Sequence, residues 1–357
     1  MSQNLNPKNI QISGKLLRWY DQHARELPWR VSPTARKGGI RPDPYHVWLS
    51  EIMLQQTTVV TVGPYFQTFL QRWPTVQMLA SAPGAEVMGE WAGLGYYARA
   101  RNLLKCARVI TQEYGGSFPK TETDLLNLPG IGPYTAAAIA AIAYDLPTTV
   151  LDGNVERVMA RLFEVSDPLP DSKPTLRAHA ASQTPTKRPG DYAQAVMDLG
   201  ATICTPRSPS CTQCPITVSC KSLASGTAAN LPKKRPKPVK PTRSGVVYFA
   251  YTLEGHVLLE TRPDKGLLGG MLALPSTDWT VEQPNAAPPI EAEWQNLPEI
   301  VRHVFTHFNL NLTVAVAKLP KNAAPMRGQF TPAPDPKTLP TVMRKAYLMA
   351  ASTTGLD

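Results

Sequence analysis

The stretch Leu128-Pro129-Gly130-Ile131-Gly132-Pro133-Tyr134 decides the fold. It separates a short helical pattern, Thr123–Asn127, from an alanine-rich one, Thr135–Tyr144. Its two glycines permit a tight hairpin, because glycine takes positive φ at little cost. With no Cβ in the way, backbone N–H groups at the turn can approach an anion. Pro133 suits a first helical turn, and the positive end of the helix dipole attracts the same charge. Two helices joined in this way form a helix–hairpin–helix that holds a phosphate backbone without reading bases. For the segment alone, the alternative is an ordinary helix corner with glycine at a cap.

Downstream, Val150-Leu151-Asp152-Gly153-Asn154-Val155 sets an acid beside glycine and asparagine, just before the helical pattern Val155–Phe163. Asp152 can simply cap that helix. Next to a hairpin that grips DNA, its carboxylate is also placed to meet an extruded nucleotide and to stabilise positive charge developing on the sugar. Upstream, Tyr45–Gln56 reads as a helix in which Val47 and Leu54 share the face of Glu51. Burial there would raise the carboxyl pKa and make Glu51 a proton donor; an exposed or ion-paired structural glutamate is the competing reading. Two carboxylates with opposed tasks suit cleavage of a sugar–oxygen bond through an oxocarbenium-like transition state, and the logic extends to sugar–nitrogen bonds.

Four of the five cysteines, Cys204, Cys211, Cys214 and Cys220, follow C-x6-C-x2-C-x5-C. Thiols crowded like this suit a metal site better than a disulfide framework in a reducing compartment, and both zinc and a [4Fe–4S] cluster accept four cysteines. Cys106, alone in a helical pattern, reads as a small buried apolar residue. The formal charge of +10, from 37 basic against 27 acidic side chains, favours a polyanion: nucleic acid or an acidic membrane surface. No apolar run approaches the ~18 residues of a membrane span. Met1–Gly14 lacks the apolar core of a signal peptide, so a cytoplasmic, DNA-associated chain is expected.

From Ile12 to Phe163 helical patterns follow one another, among them Pro64–Arg72 and Arg99–Tyr114. Leu231–Arg243 then carries Lys233, Lys234, Arg235, Lys237, Lys240 and Arg243 among prolines, with no acid. It reads as an extended basic linker, with a nuclear-targeting or peptide-recognition tail as the alternative. Beyond it the period becomes two in Val246–Leu253, His256–Thr261 and Phe308–Ala317, where Phe308, Leu310, Leu312, Val314 and Val316 share a face. A short helix follows near Met343–Ala350, and Pro284–Pro289 and Pro332–Pro340 read as loops. The expected architecture is a mainly α domain with the four-cysteine loop (1–230, loop 204–220), a basic linker (231–243) and a smaller α+β domain (244–357).

Together these residues resemble the helix–hairpin–helix DNA glycosylase superfamily over Leu16 to Cys220, whose iron–sulfur members carry this cysteine spacing. Endonuclease III-like members place a lysine near the end of the hairpin, which attacks the sugar and permits strand cleavage. Tyr134 stands there in this chain and has no amine to form a Schiff base. Tyr134 with Leu27-Pro28-Trp29-Arg30, Ser50-Glu51-Ile52-Met53-Leu54-Gln55-Gln56-Thr57, Gly93-Leu94-Gly95-Tyr96-Tyr97 and Asp152-Gly153-Asn154 resembles the adenine glycosylase, or MutY, branch.

That resemblance implies a monofunctional, monomeric enzyme of base excision repair with one [4Fe–4S] cluster. Its substrate would be double-stranded DNA carrying adenine opposite 8-oxoguanine or guanine. Glu51 would protonate adenine and handle the water, and Asp152 would stabilise the cationic sugar, assisted by Tyr134 and Asn154. Arg30 corresponds to a residue lining the adenine pocket, and Gln56, beside Thr57, and Tyr96 match positions that wedge into the base stack. Gly130 and Gly132 would hold the DNA backbone. The C-terminal part is similar to the family's Nudix-related module that reads oxidised guanine, through Gly266–Pro275 and through Phe305, Thr306 and His307. The glutamate-rich metal box of working Nudix enzymes is absent, so pyrophosphate hydrolysis is not expected. Thr306 stands where many relatives have serine, and Val31–Asp43 is longer than the family's loop, its Arg36, Lys37 and Arg41 expected on phosphate or in solvent. The rival readings are a bifunctional glycosylase/lyase and a catalytically silent binder of damaged DNA.

Overall fold

Side-chain caps start six of the α-helices among the described residues. Ser32, Asp43, Thr58, Thr75, Thr121 and Asp152 each accept a first-turn N–H that would otherwise lack a partner. The computed structural model describes residues 7–236, 238–263 and 266–356, and divides into a helical unit, 1–236, and a sheet unit, 237–357. The helical unit runs α1 (Pro7–His23), α2 (Pro33–Lys37), α3 (Pro44–Met53), α4 (Val59–Arg72), α5 (Val76–Ser81), α6 (Gly84–Glu90) and α7 (Ala98–Glu113). It continues through α8 (Glu122–Leu126), α9 (Pro133–Tyr144), α10 (Gly153–Phe163), α11 (Lys173–Gln183), α12 (Pro189–Thr202) and α13 (Lys221–Ala224).

At its centre α12 is buried from Pro189 to Gly200 without a break. A helix buried on every side, its Asp191, Gln194 and Asp198 included, has no solvent-facing stripe, which is why sequence patterning does not single it out. It packs against α1, α9 and α10. Gly190 lets it cross α9 at a distance where any Cβ would collide with the Ala141 carbonyl oxygen. Through its contacts with α11 and α12, α1 returns the start of the chain to this core. Predicted helix ends shift for local reasons. The pattern expected to run to Gln56 stops at Met53 because Gln56 takes φ 57°, outside the helical region.

Two basic segments differ from expectation. In 31–43, Arg36 is buried, donates to the Ile142 carbonyl at 3.0 Å and pairs with Asp145 (3.2 Å) and Asp191 (3.0 Å). Lys37 pairs with Asp21 at 2.8 Å, so these two side chains brace α2 against its neighbours, and Arg41 alone is exposed without such a role. The expected linker is docked in its first half. Leu169 N–H donates to the Lys233 carbonyl (2.9 Å), Arg235 N–H to the Leu169 carbonyl (3.1 Å), and Arg235 pairs with Asp171 (2.6 Å). The boundary between units therefore falls after Pro236, and Arg243 already belongs to the first strand. Lys237 lies outside the described residues.

Among the described residues the sheet unit has six strands: β1 (Thr242–Thr252), β2 (His256–Thr261), β3 (Leu272–Ala273), β4 (Gln295–Val304), β5 (Asn309–Leu319) and β6 (Gln329–Pro332). Their order is β3-β2-β1-β5-β4, with β6 also paired to β2. β1 and β5 run parallel, Thr242 opposite Asn309 through Thr252 opposite Leu319. The predicted apolar face of β5 is buried as a set under α14 (Thr341–Thr354), against Val342, Met343, Ala346 and Ala350. β4 escapes the period-two reading because Pro298 lies within it. It is an edge strand, and its pairing with β5 breaks between Asn296 and Ile300, which is where proline is tolerated. No helix among the described residues is long and apolar enough to cross a membrane.

Candidate active site

The hairpin orients the site. Gly130 takes φ 77° and packs where a Cβ would lie 2.8 Å from Asn102 Cβ. Gly132 begins α9 without a side-chain cap, and Pro133 occupies the first turn. The first-turn N–H groups thus have no side-chain acceptor, as an anion site requires. A cleft of about 1030 Å³ opens beside it. Its walls include Glu51 from α3, Gly130, Gly132 and Tyr134 from the hairpin, Asp152 and Asn154 at the start of α10, Arg30, and Gln56 and Thr57 from the turn after α3. Tyr96 does not line it and stands exposed. Gln194 and Met197 of α12 also line the cleft, and nothing in the sequence marks them, because a fully buried helix shows no distinguishing face.

Glu51 is only 7% exposed, and the Tyr134 phenol donates to its Oε2 at 2.7 Å. Burial pushes its carboxyl up from 4.5 to about 7; the Tyr134 hydrogen bond and the charge of Arg30 oppose the rise, and the charge of Asp152 adds to it. The acid is thus half protonated near neutrality, where a proton donor is most useful. Burial, together with the negative charges of Glu51 and Asp152, holds the Tyr134 phenol well above its ordinary value, so it remains a donor. Val47 and Leu54 line the same cleft, as the helical face predicted.

Asp152 both caps a helix and faces the cleft. Its Oδ1 accepts from Val155 N–H at 2.7 Å, capping α10, while Oδ2 accepts from Asn154 Nδ2 at 2.8 Å at the cleft wall. Asn154 Oδ1 in turn accepts from Arg157 Nη2 at 2.9 Å, and Arg157 Nε donates to the Cys204 carbonyl at 2.7 Å. Gly200 faces Asn154 so closely that a Cβ would lie 2.6 Å from Asn154 Cβ. Arg30 is oriented from behind: its Nη1 donates to Asp198 Oδ2 at 2.7 Å, and Arg25 binds the same fully buried carboxylate.

Cys204, Cys211, Cys214 and Cys220 line one cavity together with Arg161. Arg161, almost fully buried, donates to Cys204 Sγ at 3.3 Å and to the carbonyls of Thr205 (2.8 Å), Pro206 (3.0 Å) and Leu231 (2.9 Å). Burial lifts the Cys214 thiol to about 11, with the other three cysteines adding to the rise. Among the described residues no three donor side chains meet at the spacing of a single metal ion. Cys106 is buried in the helical core, as expected.

In the sheet unit, Phe305-Thr306-His307 forms the bend between β4 and β5, closed by a hydrogen bond from Phe305 N–H to the Phe308 carbonyl (2.9 Å). Phe305 stacks on Phe308 and Trp279, leaving Thr306 and His307 exposed. The glycine-rich stretch leads into β3 through positive φ at Gly266 (94°), Leu268 (57°) and Gly270 (70°).

A family profile described as HhH-GPD superfamily base excision DNA repair protein matches residues 49–182, and a NUDIX domain profile matches 246–349. An adenine DNA glycosylase of Homo sapiens is 37% identical over 84% of this chain, which spans 66% of that relative's length. One of Mus musculus is 37% identical over 87% of this chain and 72% of its own length. One of Mycolicibacterium smegmatis is 40% identical over 62% and 72%. Among solved structures, a thermostable thymine-DNA glycosylase superposes with TM-score 0.54 and 27% identity, covering 61% of this chain and 97% of its own. A trapped endonuclease III–DNA covalent intermediate shares the fold, with TM-score 0.51 and 21% identity over 62% and 99%. With its helix–hairpin–helix unit, its Nudix-like second unit and these relatives, the chain belongs to the adenine DNA glycosylases, base excision repair enzymes that hydrolyse an N-glycosyl bond.

Proposed function

We propose that the chain acts as a monomer that removes adenine paired with 8-oxoguanine or guanine in double-stranded DNA, by hydrolysis and without cutting the strand. The observation that carries this reading is one cleft holding Glu51, Tyr134 and Asp152, with no lysine among the described residues that line it. The hairpin backbone and the surplus of 10 positive charges hold phosphates. Gln56 and Tyr96 enter the stack, and extrusion costs a few kcal/mol, least at a mismatch. The Glu51 acid passes its proton to a ring nitrogen of the extruded adenine. The sugar–nitrogen bond then breaks with its electron pair leaving on the purine, and the Asp152 carboxylate faces the cationic sugar. Water adds to the sugar carbon and its proton returns to Glu51. Tyr134 and Asn154 hold the two carboxyl groups in place, and Arg30 lines the base pocket.

The four cysteines would hold a [4Fe–4S] cluster. The fit rests on four thiols sharing one cavity, a donor set that suits such a cluster. When bound, a cluster cross-links the 204–220 loop. Phe305, Thr306 and His307 would read the oxidised guanine.

The test is a duplex carrying adenine opposite 8-oxoguanine, incubated with and without later alkali. Strand breaks only after alkali are expected. Breaks without alkali would favour a lyase, and none in either lane a silent binder. Asp152→Asn, which retains a good helix cap, should lose base release and keep DNA binding; retained turnover would remove Asp152 from the mechanism.

A further inference from the structure

We propose that Arg99 is a positioning residue that locks two DNA-facing turns, Gln55-Gln56-Thr57 and Leu94-Gly95-Tyr96, into one rigid wedge. The inference rests on the reading above that Gln56 and Tyr96 enter the base stack. Both residues are non-glycine with positive φ, 57° for Gln56 and 49° for Tyr96. Such conformations persist only where their surroundings over-determine them, and they gather at functional sites. One side chain supplies much of that constraint to both. Arg99, near the start of α7, donates through Nη1 to the carbonyls of Ile52 (3.1 Å), Met53 (3.0 Å) and Gln55. Through Nη2 it donates to Thr57 Oγ1 (3.2 Å) and to the carbonyls of Leu94 (3.1 Å) and Gly95 (3.4 Å).

The guanidinium also lies 5.4 Å from the ring centres of both Trp91 and Tyr96. It therefore gathers carbonyls at and just beyond the end of α3 and, from the same planar fork, carries the exposed Tyr96 ring. The second turn has its own supports. Trp91 Nε1 donates to the Gly95 carbonyl (3.0 Å) and the Tyr65 phenol to the Ala92 carbonyl (2.7 Å), so what Arg99 adds is the link to the first turn. Two flexible tips would yield separately to a stacked duplex, whereas two tips joined through one guanidinium push as a unit.

The experiment uses the full chain in the Asp152→Asn background, bound to a duplex with 2-aminopurine beside the target adenine, whose fluorescence rises when its stacking is broken. Arg99→Lys keeps the charge without the planar fork, and Arg99→Met keeps only the stem. Both are expected to lower the rise per bound duplex by at least about threefold, a change beyond what weaker binding produces once occupancy is measured. Adding Gln56→Ala or Tyr96→Ala to either should lower it little further, since residues acting as a unit are not additive. A brace that only stabilised the fold would reduce melting temperature and occupancy and leave the rise per complex unchanged; that result in either folded variant overturns the proposal. If Gln56→Ala and Tyr96→Ala each leave the rise intact with Arg99 present, the wedge reading itself is wrong.

Discussion

Replacing Tyr134 with phenylalanine should move the alkaline limb of the glycosylase pH profile upward, even though it removes a group from the site. The carboxyl of Glu51 stands near 7 rather than 4.5 because burial disfavours its charge, a preference for the neutral acid of about 3 kcal/mol at about 1.4 kcal/mol per pH unit. The hydrogen bond from Tyr134, 2.7 Å long, works against that preference because it serves the ionised oxygen. A hydrogen bond to a charged group contributes about 1.5–3 kcal/mol, so its loss should raise the Glu51 midpoint by about 1 to 2 pH units. The ring of phenylalanine refills the same space without a donor, so burial is maintained. Single-turnover rates with excess enzyme, which isolate base release from product release, measure the effect. In the parent enzyme the rate should fall about tenfold per pH unit above the Glu51 midpoint, as the protonated acid disappears. In Tyr134→Phe the plateau, whatever its height, must extend further into alkali. A limb that stays in place, or moves down, refutes the assignment of Glu51 as the titrating acid.

The same carboxyl couples stability to pH. Because folding raises it, its neutral form favours the native state below about 4.5, and that contribution of about 3 kcal/mol is lost as pH rises through about 7. Glu51→Gln should therefore melt progressively higher than the parent between these values, and a constant difference in melting temperature would contradict the burial argument. Gly200→Ala should press on Asn154 and slow base release while duplex affinity holds; an unchanged single-turnover rate would show that the contact yields freely. Arg36→Ala removes the partner of Asp145 and leaves Asp191 to Arg188 alone, and should cost about 3 kcal/mol in unfolding stability, read by thermal or denaturant melts. A loss within about 0.5 kcal/mol, as at ordinary surface positions, would show the pair to be dispensable.

Local chemistry made a large part of this protein legible before any fold was known. The hairpin declares itself because only glycine meets its turn geometry, the four cysteines because thiols so close in the chain suit a metal, and β5 because one sheet face repeats every second residue. Asp152 and Glu51 were legible as candidates for the same reason, each carrying its cue within a few neighbours. What the chain order could not display is anything made by distant segments meeting. The Tyr134–Glu51 bond joins positions 83 apart, and it is burial by surrounding helices that makes this glutamate an acid near neutrality. The central helix α12 hides because it is buried on every side, polar residues included, β4 because proline and a broken register disguise an edge strand, and Arg99 because an arginine on a helix looks like any solvated cation. Arg36 and the docked half of the basic segment were misplaced for that same reason: a charge is exposed or structural according to the partner that packing brings to it, and that partner lies elsewhere in the chain.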